Sequence, residues 1–169
     1  MQAKDVLVDA YGRIQEEVHA VVDGLSADEL NARPDGDANS ITWLVWHLTR
    51  VQDDHVADAS GLKQVWLSQD WADRFGLGLP RRDTGYGHTS QKVAKVRVDS
   101  GDLLIGYYDA VHEQTLAFLR DLDDEGLDRV VDETWSPPVT LGVRLVSVVS
   151  DDLQHVGQAA FVRGLLDGR

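Results

Sequence analysis

Residues 41–61 read ITWLVWHLTRVQDDHVADASG, an apolar run that starts behind Ser40 and stops at a glycine. Serine is a good N-cap and glycine a good terminator, and Ile41, Leu44, Leu48, Val51 and His55 fall along one side at helical spacing. The stretch is predicted to be a long amphipathic helix that needs partners for its apolar side. Upstream, Leu7, Tyr11, Ile14, Val18, Val21 and Leu25 keep a 4-3-4-3-4 rhythm, the stripe of a first helix. Ser26 and Glu29 make a capping box for a short helical turn that ends before Arg33-Pro34-Asp35-Gly36. Downstream, Leu104, Tyr108, Val111, Thr115, Phe118 and Leu122 repeat the same rhythm behind a cap at Asp99 or Ser100. After a break at Pro137-Pro138, a last helix is expected from about Leu141 to Leu166, with Leu141, Leu145, Val148, His155, Ala159 and Val162 on one side.

The two halves echo one another. LSADELNAR (25–33) resembles LDDEGLDRV (122–130), and ITWLVWHLTRVQDD (41–54) aligns with VTLGVRLVSVVSDD (139–152), so that Asp53-Asp54 matches Asp151-Asp152. The spacing pairs the first long helix with the third and the second with the fourth. The expectation is an all-α four-helix bundle whose second and fourth helices face each other, since bundles build ligand and metal sites from inward side chains. Residues 62–99 interrupt the pattern: Trp66, Trp71 and Phe75 suggest a short helix or turn near 64–75, and GLGLPRRDTGYGHTSQKVAKVRVD reads as an extended loop. Long ordered loops are often lids or binding walls.

Composition narrows the function. A chain of 169 residues is the size of one domain, taken here as 1–169. Its formal net charge of −13 repels phosphate backbones and anionic lipid, so neither nucleic acid nor membrane is an expected partner. With no cysteine, thiolate metal sites and cysteine nucleophiles are excluded and a cytoplasmic location is the natural reading. No export signal or 18-residue apolar run is visible. Any metal must use His, Asp or Glu.

Among the histidines, His19 and His88 are expected to face solvent, and His112 to be a satisfied buried or boundary residue. His47 is different in company, lying in the aromatic and apolar segment after Trp43 and Trp46. On the last helix, Asp151 and His155 are four residues apart, which puts a carboxylate and an imidazole on adjacent turns of one face. A local ion pair would explain that spacing. Yet a buried carboxylate is costly unless paired or bound to a cation. With His47 opposite, three ligands come from two facing helices and leave coordination positions open, a pattern suited to catalytic metals. Asp152, Asp54 and His55 are rivals that could replace or supplement the set, and spacing does not choose among them.

SITWLVWHLTRVQDDHVA (40–57) together with DDLQHVGQAAFVRGLL (151–166) resembles the DinB-like superfamily of four-helix metalloproteins, which includes mycothiol-dependent maleylpyruvate isomerase. The resemblance covers nearly the whole chain. It implies an up-up-down-down bundle with a long crossing connection between the second and third helices, placing residues 62–99 near the mouth of the site. It also implies a metal triad of His47, Asp151 and His155, with Asp151 where His or Glu is more usual. The cofactors implied are a divalent metal, zinc or nickel first and iron also compatible with the donor set, and a low-molecular-weight thiol such as mycothiol or bacillithiol. The activity implied is thiol S-transfer or isomerisation on a small electrophile, the metal favouring the thiolate. A non-catalytic metal-binding or stress-response protein on the same bundle is the alternative. Trp43, Trp46, Trp66 and Trp71 are candidates for an apolar pocket wall or for core, and Arg81 and Arg82 for receiving an anionic cofactor carboxylate or for a solvated pair. A leftover apolar flank is compatible with a homodimer.

Overall fold

The structure, a computed structural model, describes residues 2–168; Met1 and Arg169, the ends of the expected domain, lie outside the described residues. It is predominantly helical. In chain order the elements are α1 (Ala3–Val22), α2 (Ala27–Asn31), α3 (Ile41–Ser60), α4 (Val65–Ser68), α5 (Trp71–Phe75), α6 (Ser90–Val93), α7 (Gly101–Arg120), α8 (Asp124–Leu127), β1 (Val130–Asp132), β2 (Val139–Thr140) and α9 (Leu141–Leu166).

Local chemistry sets the boundaries. The Ser40 hydroxyl accepts from the Trp43 N–H to start α3, and Gly61, at φ 73°, ends it in the left-handed conformation that glycine adopts without penalty. Ser26 and Glu29 form the expected capping box of α2, and Asp123 caps α8 at the equivalent place in the second half. Ser100, whose hydroxyl accepts from the Asp102 N–H, is the cap of α7. Around Pro137-Pro138 the chain forms more than a break: β1 and β2 pair antiparallel and lead directly into α9. Val130 and Val131 supply β-branched residues there, and Thr140 caps α9 by accepting from the Val143 N–H.

The four long helices bury the stripes read from the sequence. Leu7, Tyr11, Ile14, Val18 and Val21 of α1 and Leu104, Tyr108, Val111 and Thr115 of α7 are buried. So are Ile41, Leu44 and Leu48 of α3 and Leu141, Leu145, Val148, Ala159 and Val162 of α9. α3 packs along α9 and against α7, while α1 packs against both α7 and α9. At the open end of the stripes, Val51, His55 and His155 are only partly buried and so remain available to a site. Among the described residues no helix is long and apolar enough to cross a membrane.

The 62–99 connection is anchored more firmly than a free loop. Asp53, on α3, accepts from the N–H groups of Val65 and Trp66, each at 2.8 Å, and from the Tyr107 hydroxyl at 2.9 Å. Arg50, one turn earlier, donates to the Asp83 carbonyl and to Gln64 Oε1. Both side chains are buried, so a charged pair inside the protein fixes the start of the connection to α3 and its far part near the mouth of the helices.

Candidate metal centre

His47, Asp151 and His155 each offer a ligand atom, and the three atoms lie within 4.8 Å of one another. The rings of His47 and His155 meet edge to face with centroids 4.7 Å apart, and His155 Nε2 is 3.7 Å from Asp151 Oδ1. The i,i+4 spacing on α9 and the packing of α3 against α9 bring these residues together.

The ring nitrogens are sorted by their other partners. His47 Nδ1 contacts the Thr84 carbonyl, which can only accept, so Nδ1 carries the proton and Nε2 keeps its lone pair. His155 Nδ1 lies 3.1 Å from Gln158 Oε1, which leaves Nε2 as its free donor atom in the same way. Burial, partly countered by the Thr84 carbonyl, lowers the pKa of His47, so this ring stays neutral and able to ligate into mildly acid solution.

Asp151 Oδ2 is buried and has no hydrogen-bond partner among the described residues. A buried carboxylate oxygen without a donor is costly. A divalent cation between the two imidazoles and this carboxylate would satisfy it, and two nitrogens with one oxygen suit zinc, nickel or iron. The residues therefore fit a metal. His47 is 6% exposed, whereas the side chains of His155 and Asp151 are 19% and 37% exposed, so the group is open on the α9 side.

None of the three rivals joins the group. Asp54 accepts from Gln64 Nε2 at 2.6 Å. Asp152 is fully buried, with neither oxygen hydrogen-bonded among the described residues. Burial first, and the neighbouring Asp151 second, push its pKa well up. His55 accepts at Nδ1 from Arg144, 2.8 Å away, and lines a cleft beside Asp151.

The connection supplies the inner wall. Trp43 stacks on His47 with centroids 4.6 Å apart and meets His155 edge-on at 6.2 Å. Its indole N–H donates to His88 Nδ1 at 3.1 Å, so His88 Nε2 carries a proton and donates to Asp83 Oδ1 at 2.9 Å. His88 is thus not solvent-facing as expected: its side chain is 1% exposed, because the loop folds back over Trp43 and Trp46. Partial burial opposes ionisation of Asp83, but the Gly85 N–H and the His88 ring outweigh it and lower its pKa. His19 does reach solvent, with an Asp109 carboxylate oxygen 2.8 Å from its ring. His112 is buried but not satisfied, since Nδ1 lacks a partner among the described residues.

Of the other tryptophans, Trp66 and Trp71 pack on Tyr107 as core. Arg81 is held by Asp73 at 2.7 Å, and neither Arg81 nor Arg82 lines the cleft at Asp151. The arginine that does is Arg144, which the sequence reading missed. Its signal was available: Arg144 precedes Asp151 by seven residues, two helical turns on one face.

Gly85 shows how tightly the loop closes on the candidate ligand His47. It sits at φ +94°, and an added Cβ would lie 2.7 Å from His47 Nδ1 and 3.0 Å from the Trp46 ring. Gly85→Ala is expected to push His47 off its Thr84 contact and weaken metal binding about 10–100-fold, the range for losing a partner that orients a ligand. Gly87→Ala is the matched control, since Gly87 also has a positive φ (+68°) but open space around it. Titration of the metal against a competing chelator checks this; equal affinities in the two variants would contradict the close approach.

A DinB superfamily model matches residues 10–159. The chain belongs to the DinB superfamily. In the same comparisons, a crystal structure of a conserved protein from Enterococcus faecalis is similar at 34% identity and a TM-score of 0.93, covering 100% of this chain and 99% of that one. No curated protein sequence matches. In this DinB-superfamily chain the His, Asp, His group is one that could hold a metal ion.

Proposed function

We propose that this DinB-superfamily protein is a cytoplasmic, divalent-metal-dependent enzyme of the thiol S-transferase or isomerase type. His47, Asp151 and His155 hold the metal at the mouth of a single up-up-down-down four-helix bundle, with residues 62–99 as the long crossing connection. The observation that carries the reading is the grouping of three side chains that each offer a ligand atom within 4.8 Å of the others, with a buried Asp151 oxygen that has no partner among the described residues, at a place open to solvent on one side. A purely structural site has no need of that opening.

Each residue has a task that its surroundings explain. The Thr84 carbonyl holds the His47 ring in one tautomer, and Trp43 stacked on its face keeps water from the inner side. Asp151 supplies one negative charge, and His155 stands at the boundary where substrate arrives. The chemistry a bound zinc, nickel or iron ion supplies is stabilisation of a thiolate at neutral pH, the nucleophile for a small electrophile.

The test is turnover. Metal-loaded protein is expected to consume a low-molecular-weight thiol such as mycothiol or bacillithiol with monochlorobimane, or to isomerise maleylpyruvate only when such a thiol is present, and His155→Ala to lose that activity. Protein that retains its metal but turns over none of several thiols would overturn the enzymatic reading in favour of a metal-binding or stress-response role.

A further inference from the structure

A cleft of about 300 Å³ opens beside Asp151, between α3, α9 and the hairpin segment. That volume suits a small molecule rather than a chain. Val51, Val143, Val148 and Trp135 make its apolar walls, and Arg144 and His55 stand among them as donors. Trp135 is 66% exposed, an unusual place for the largest side chain unless something covers it.

Arg144 is built into this wall. Nη1 donates to His55 Nδ1 at 2.8 Å and Nη2 to Asp132 Oδ2 at 3.0 Å, and the side chain is 19% exposed. These bonds hold the guanidinium while leaving other N–H donors without a protein acceptor among the described residues. Because Nδ1 of His55 is an acceptor here, its ring proton sits on Nε2, a second donor from the same wall. Asp132 offsets the charge of Arg144, and Asp151 offsets half of a divalent ion, so the loaded cleft is net positive in these groups within a chain of formal charge −13. Asp54, the nearby acid on α3, turns to Gln64 and does not line the cleft.

We infer that this cleft is the subsite for the electrophile and that it takes a small carboxylate with an apolar body: the carboxylate on Arg144, the body against Val143, Val148 and Trp135. Guanidinium is the side chain best matched to a carboxylate, and here it is already oriented. The inference rests on the enzymatic reading above, in that it names the substrate class of the same site. A carboxylate could also be the thiol's own, so the test separates the two.

Calorimetric titration of zinc-loaded protein with benzoate and with benzamide reads the subsite without turnover, and its outcome is therefore separate from that of the activity assay. Benzoate is expected to bind, and benzamide to bind about tenfold more weakly. Arg144→Gln is expected to lose benzoate binding. Since that variant also cuts the tie to Asp132, Val143→Glu is the second: this position is 55% exposed, keeps the tie, and sets a negative charge in the cleft, so it too should lose benzoate by about tenfold or more. Arg82→Gln, outside the cleft, should bind as the parent does. Equal benzoate affinity in the parent and both cleft variants, or no preference over benzamide, overturns the inference. So does a result in which metal-loaded protein binds N-acetylcysteine in an Arg144-dependent way, in preference to its amide, while benzoate fails to bind.

Discussion

Asp53→Ala is expected to lower the free energy of unfolding by about 3–5 kcal/mol, the usual cost of removing one partner from a buried ion pair. Asp53 is 1% exposed and Arg50 is fully buried. Loss of the carboxylate strips acceptors from the Val65 and Trp66 N–H groups and the Tyr107 hydroxyl, and leaves the Arg50 guanidinium without its counter-charge 3.5 Å away. The neighbouring Asp54→Ala removes only a hydrogen bond to Gln64 from a partly exposed position and should cost no more than about 1 kcal/mol. Urea denaturation of both variants measures the difference, and equal midpoints would show that the connection is not held by Asp53. Because Arg50 also grips the Asp83 carbonyl, just ahead of Thr84 and Gly85, the loss should reach the inner wall of the metal centre.

The long helices were legible because their periods are strong and their caps conventional. Tyr11, Ile14 and Val18, or Leu104, Tyr108 and Val111, repeat at the spacing that buries one side, and Ser40 and Ser100 mark the starts of α3 and α7. The hairpin of β1 and β2 was not legible, since strands of three and two residues around prolines carry too short an alternation to register. The internal echo predicted position better than environment. It aligns Asp53-Asp54 with Asp151-Asp152, yet in α3 the first of the pair is buried and in α9 the second, because different partners cover the two helices. One stabilises a loop, and the other lies buried in the core beside a candidate ligand.

At the site, the grouping of His47, Asp151 and His155 could be read from spacing because an i,i+4 pair and a facing helix constrain geometry strongly. The choice against Asp152, Asp54 and His55 could not, since it depends on which way each turns and on what already occupies it: Gln64 for Asp54, Arg144 for His55, the core for Asp152. The mistake over His88 has a similar origin. A polar loop sequence such as DTGYGHTS gives no sign that the Trp43 indole and Asp83 will draw its histidine inward.

The largest effect expected at the site comes from deleting a candidate ligand. Three protein donors are few for a divalent ion, and His155→Ala leaves only His47 and Asp151, with Asp151 Oδ2 still unpaired and no other His, Asp or Glu among the described residues grouped with them. His19, on α1 and held by Asp109, is far from this in role and serves as the control. Element analysis of untagged protein is the direct measurement: the parent chain and His19→Ala should carry near-stoichiometric zinc, nickel or iron, and His155→Ala only background. Equal metal content in His155→Ala and the parent, or none in the parent purified without chelators, would contradict the metal centre described above.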